Sequence, residues 1–184
     1  MTEVWEPALE RLHAGLRRAF DELLVRVDVG DERLDRRPPD GGWTPREVLE
    51  HVTLTDRFLL ILADKIAAKS RLRAARGAAW PAHPPRFEHL ARLAGRELVW
   101  EAPAHMRPSG DVPTSELRAR LAADRAHALA LLDGAPGGSA TLHRIRMSVV
   151  GGEDDRLDLY QFLEVVRLHA VRHGAQIERA LAGS

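Results

Sequence analysis

Four stretches of this 184-residue chain repeat apolar residues at three- and four-residue steps, and that period commits it to helices packed on one another. Leu9, Leu12, Leu16, Phe20, Leu23 and Val27 make the first stripe, on a helix expected over 7–27 with Arg and Glu on its opposite face. The second stretch opens at Thr44-Pro45-Arg46-Glu47, with a hydroxyl at the N-cap, proline at the first helical position and Glu at the third. That is a capping box. Its stripe runs through Val48, His51, Val52, Thr55, Leu59, Leu62 and Ile66. A third helix is expected over 114–133, started by Thr114 or Ser115, with Leu117, Leu121, Ala128 and Leu132 inward and Gly134 as its stop. The fourth is expected over 157–181, and Phe162, Val166, His169, His173 and Ile177 share one face of it. The fold class implied is all-α, a bundle of four helices in a single domain over 1–184, long enough to bury a core without staples.

The connections differ in character. Gly30, Pro38, Pro39, Gly41 and Gly42 break the chain after the first helix, and the charged stretch Asp31 to Arg37 reads as a solvated turn. Residues 77–113 form a long, irregular, Pro-rich connection with a short helix expected within Phe87 to Leu98. A connection of that length is often functional, and this one is expected to cover one end of the bundle. A short extended piece, Leu142 to Val150, lies between Gly137-Gly138 and Gly151-Gly152.

Composition removes several classes of function. Acidic and basic residues balance at 27 each, which argues against a general nucleic-acid binder. Cysteine is absent, so no disulfide, thiol nucleophile or thiolate metal site exists. The first residues lack a basic stretch followed by an apolar run, so no signal peptide is expected. The longest strongly apolar run, Phe58 to Ala63, is far short of the roughly 20 residues that span a bilayer. The expected location is the cytoplasm, without a membrane partner.

Two histidines replace hydrophobic residues in the stripe of the fourth helix. Four residues of helix rise about 6 Å and turn about 40° past a full turn, so His169 and His173 stack on one face. Two imidazoles so placed can share one metal ion, and His51, inward near the start of the second helix, is the best third ligand. Three imidazoles leave coordination positions open, as a catalytic site does. The plainer reading is a set of core histidines, since a His-x3-His pair arises by chance in a chain with nine histidines. Burying three unpaired imidazoles is costly, which favours ligation. No His-Glu-x-x-His, paired Glu-x-x-His, Gly-rich phosphate loop or Gly-x-Ser-x-Gly elbow is present.

Two motifs then resemble a known group. Gly42-Trp43-Thr44-Pro45-Arg46-Glu47-Val48-Leu49-Glu50-His51 resembles the opening motif of the DinB/YfiT-like superfamily. Leu168-His169-Ala170-Val171-Arg172-His173-Gly174-Ala175-Gln176-Ile177 resembles its closing motif. The resemblance covers nearly the whole chain in order and spacing. It implies a DinB-like four-helix bundle, up-down-down-up, with one divalent metal, zinc or nickel, held by His51, His169 and His173. It also implies frequent homodimers; Gln176 matches a motif position and is assigned to packing or to support of a ligand from behind. Characterised relatives include S-transferases and isomerases that use a low-molecular-weight thiol, and metal-dependent hydrolases. The expected function is therefore a metal-dependent enzyme acting on a small molecule, most simply a thiol-dependent S-transferase or a hydrolase. The alternatives are a metal-binding stress-response protein without turnover and a plain interaction bundle.

Other residues carry weaker expectations. Trp43 reads as a hydrophobic staple beside the cap. Trp80 and Trp100 either line a pocket or pack over a bundle end. His83, His89 and His105 read as solvated, as does Arg172, and the segment that carries His143 is placed to approach the metal. Glu50 and Asp56 flank the inner face of the second helix, where a solvated role is favoured over orienting an imidazole.

Overall fold

A computed structural model describes residues 2–95, 101–135, 137–148, 150–151 and 155–182. Its helices are α1 (Thr2–Val27), α2 (Asp31–Leu34), α3 (Pro45–Ala75), α4 (Thr114–Asp133) and α5 (Leu159–Ala182). Two short strands, β1 (Ile145–Arg146) and β2 (Arg156–Leu157), pair antiparallel just before α5. The four long helices match the four periodic stretches. Each buries its stripe: Leu16, Phe20 and Leu23, Leu49, Leu60 and Ile66, Leu117 and Leu121, and Phe162 and Leu163 are all sealed from solvent. Burying each such side chain stabilises the fold by about 1.5–3 kcal/mol.

Helix starts follow local chemistry. In the capping box of α3, the Glu47 N–H donates to Thr44 Oγ1 at 3.2 Å and the Thr44 N–H donates to Glu47 Oε2 at 2.7 Å. The helix runs nine residues beyond Ile66 to Ala75, and Gly77, at φ +78°, turns the chain out of it. A second reciprocal cap starts α5, where Asp158 Oδ1 accepts from the Gln161 N–H and the Gln161 side chain accepts from the Asp158 N–H. The start of α1 falls earlier than Pro7, which brings Trp5 into the core against Tyr160. Thr114 does not cap α4. Its hydroxyl instead joins Asp31 and the buried Arg46, which also holds Asp35 and the Val112 carbonyl. The 31–37 stretch keeps its charged residues exposed, as expected of a solvated turn, while 31–34 form a helical turn tied to α3 that buries Leu34.

Cross-helix pairs fix the directions. Trp5 meets Tyr160 and Arg26 meets Glu178, so α1 and α5 run parallel. Asp28 meets Arg118 and His13 meets Asp133, so α4 opposes α1. Asp64 meets His127, while His51 meets His173 and Asp56 meets His169, so α3 runs with α4 and against α5. The topology is up-down-down-up, and the start of α3 faces the end of α5. No helix among the described residues is long and apolar enough to cross a membrane.

The long connection does more than cover an end. It returns along α5, where the Gln161 amide donates to the Arg86 carbonyl and Arg172 donates to that of Gly95. Leu90 and Leu93 of its 3-10 helix, Glu88–Ala94, are buried; that helix stands where one was expected, and 96–98 and Trp100 lie outside the described residues. It then reaches the start of α3, where buried Glu50 accepts from Ser109 Oγ and the Gly110 N–H. Glu50 is therefore an anchor for this connection rather than a solvated group.

Candidate metal centre

The antiparallel crossing of α3 and α5 brings three imidazoles together. Ring centroids lie 4.5 Å apart for His169–His173, 4.8 Å for His51–His173 and 5.5 Å for His51–His169. One ligand atom from each residue lies within 4.8 Å of the others. Among the described residues no fourth histidine or carboxylate joins the group.

Each ring is held by its Nδ1. For His51 the partner is the Met106 carbonyl at 2.8 Å, for His169 the Asp56 Oδ1 at 3.0 Å, and for His173 the Gln176 Oε1 at 2.9 Å. A carbonyl oxygen only accepts, so it places the proton on Nδ1 and leaves Nε2 with its lone pair. The Asp56 carboxyl accepts in the same way when ionised, and the three rings then present three Nε2 atoms without a hydrogen-bond partner among the described residues. Metal-ligating histidines show this pattern, with the second nitrogen engaged by a carbonyl or carboxylate.

The surroundings keep the imidazoles neutral. Burial lowers the pKa of His51 against the opposing pull of the Met106 carbonyl. Burial takes His169 down to about 3, with further contributions from His51 and Arg172, and holds His173 well below its ordinary value. Neutral imidazoles with free Nε2 atoms fit a divalent transition metal. Trp43 lies against His51, with ring centroids 5.0 Å apart, so its place beside the helix cap also makes it a wall of the centre. Thr55, one turn along α3 from His51, keeps a buried hydroxyl with no hydrogen-bond partner among the described residues.

Several expectations change here. Asp56 is fully buried and is the partner of His169, where a solvated role was favoured. Its position, five residues after His51, was the available signal. Arg172 is half-buried against Gly95 rather than exposed. His143 is far from the centre: its segment hangs from the other end of α3, through Arg73 to Leu142 and Ser70 to Ala140. Ser70 stands nineteen residues along α3 from His51, about 28 Å at helical rise. Trp80 packs over Gly138 beside Trp5 at that same far end. His83 is exposed; His105 is exposed beside Phe58, with ring centroids 5.7 Å apart; His89 is half-buried with its Nε2 sealed and unpartnered, which departs from a solvated role. The Met106 carbonyl carries no side-chain signal and was invisible to sequence reasoning.

Compared with known proteins, residues 8–177 match the model of a family described as the DinB superfamily. No curated protein and no solved structure matches the chain.

Proposed function

Because the chain belongs to the DinB superfamily, we propose that it is a metal-dependent enzyme for a small-molecule substrate, with His51, His169 and His173 holding one divalent ion, zinc or nickel. The observation that carries this reading is the engagement of all three Nδ1 atoms on rings whose ligand atoms lie within 4.8 Å of one another, which leaves the three Nε2 atoms to serve as donors. A divalent ion held there supplies Lewis acidity, which lowers the pKa of a thiol or water and yields a nucleophile at neutral pH.

The chain's own residues do the rest. Met106, Asp56 and Gln176 fix ring orientation, and burial keeps the rings unprotonated at neutral pH. Three protein donors leave positions for exogenous ligands. Among the described residues no fourth histidine or carboxylate clusters with the three rings, which favours activation of a low-molecular-weight thiol by the metal itself over hydrolysis.

The test is turnover. Untagged chain loaded with zinc or nickel is given a low-molecular-weight thiol and a small electrophile, and thioether formation is followed. The expected result is a metal-dependent rate that H169A abolishes. Ester or amide hydrolysis without thiol consumption would shift the reading to a hydrolase. Full metal occupancy with no turnover in either assay would support the non-catalytic metal-binding protein.

A further inference from the structure

The three rings are oriented from different parts of the chain. Asp56 and Gln176, the partners of His169 and His173, sit on the long helices α3 and α5. His51 alone takes its partner from the 77–113 connection, and that partner is a backbone carbonyl. A side chain can swing to its target, but a carbonyl stands only where the backbone on either side of it is pinned. Before the Met106 carbonyl the pin is a 3-10 turn, in which the Met106 N–H donates to the Pro103 carbonyl at 2.8 Å and the Met106 side chain is buried. After it the pin is Glu50, whose Oε1 accepts from Ser109 Oγ at 3.0 Å and whose Oε2 accepts from the Gly110 N–H at 2.8 Å. Gly110 has φ +83°, a turn that glycine takes at little cost. Glu50 is 5% exposed and directly precedes His51, so anchor and ligand share one turn of α3. Arg46, one turn earlier, adds a 3.0 Å bond to the Val112 carbonyl.

We propose that Glu50 is a positioning residue of the three-histidine centre, acting through residues 106–110 on His51, so that docking of this segment and metal binding favour each other. This rests on the metal reading above and extends the centre into the long connection. With the Met106 carbonyl in place, the His51 proton sits on Nδ1 and Nε2 keeps its lone pair. With the segment undocked, the ring is free to turn and the proton is free to move to Nε2, where it blocks ligation. Burial makes the anchor strong. A carboxylate sealed from water is costly unless donors meet its oxygens, and Ser109 and Gly110 supply one to each. Glutamine at 50 keeps an acceptor for the Gly110 N–H and an amide donor for Ser109 Oγ; alanine keeps neither.

The experiment reads zinc affinity by chelator competition, and the ring Nδ1–H signals by NMR, on the untagged full chain. E50A is expected to lose about 10-fold or more in affinity, the scale of partners behind a ligand, and E50Q to recover most of that loss. In the metal-free chain, E50A is expected to shift or broaden the His51 Nδ1–H signal and to leave that of His169 in place, and E50Q to retain both. Coupling between two binding events is reciprocal, so zinc is expected to slow hydrogen exchange of the Gly110 N–H by a similar factor. Unchanged affinity in E50A, an equal loss in E50A and E50Q, loss of the His51 and His169 signals together, or Gly110 exchange unmoved by zinc would overturn the proposal. The metal-free spectra keep this test apart from the metal reading. A chain that binds no zinc contradicts that reading, whereas an unmoved His51 signal in E50A overturns the role of Glu50 alone.

Discussion

The two ends of the bundle close by opposite means. At the far end, Trp5 and Tyr160 meet with ring centroids 5.7 Å apart, and the Tyr160 hydroxyl donates to the Ala135 carbonyl at 2.6 Å. Trp80 and Trp5 cover Gly138 so closely that a Cβ there would collide with both indoles. At the near end, the same stripe positions carry His51, His169 and His173, and each ring has one nitrogen satisfied and one left over. The far end uses aromatic area and returns the Tyr160 hydroxyl to a backbone carbonyl. The near end buries polar groups and leaves three of them facing one another. A fold gains stability from the first arrangement, whereas the second is costly until something occupies it.

The comparison breaks if a far-end change acts on metal binding. W5A is expected to cost about 3–5 kcal/mol of stability in urea unfolding of the metal-free chain, and to leave zinc affinity within about two-fold. H169A should do the reverse. A loss of affinity beyond 100-fold is expected by chelator competition, above the ~10–100-fold typical of groups behind the ligands. If the two substitutions lowered affinity alike, the ends would not be separate.

Acid sharpens the contrast, because the near-end histidines and the far-end Asp158 carry shifts of opposite sign. The histidines have folded pKa values below the ordinary 6.5, so the unfolded chain takes up protons first. Their contribution is present above about 6.5 and is lost as pH falls below it. Buried Asp158, at the start of α5, is pushed up to about 6, so its effect on stability worsens as pH rises from 3.8 through 6. D158N, which keeps a capping oxygen, is expected to raise the stability of the metal-free chain more at pH 8 than at pH 4 in urea unfolding. Replacing His169 by Leu is expected to help at pH 5 and not at pH 8. The smallest effect is at the near-end cap: T44A should cost about 1 kcal/mol by the loss of the Thr44–Glu47 exchange, again read by urea unfolding.

Whatever depends on neighbours in sequence was legible. The four stripes, the Thr44 cap and the stacking of His169 on His173 need only helical periodicity and local hydrogen bonds. The Asp158–Gln161 cap is equally local, but a start placed at Leu157 hid it. Contacts between distant segments were not legible. Nothing in 77–113 shows that the carbonyl of Met106 comes to His51, or that Ser109 and Gly110 seek Glu50. Asp56 shows the boundary best: its place on α3 was readable, but its burial depends on how α4 and α5 close over that helix.

Metal content tests the centre most directly. Untagged chain supplied with zinc or nickel, desalted and assayed by elemental analysis is expected to hold about one ion per chain, with H51A, H169A and H173A each nearly empty. Less than about a tenth of an ion per unsubstituted chain would contradict a three-histidine metal centre.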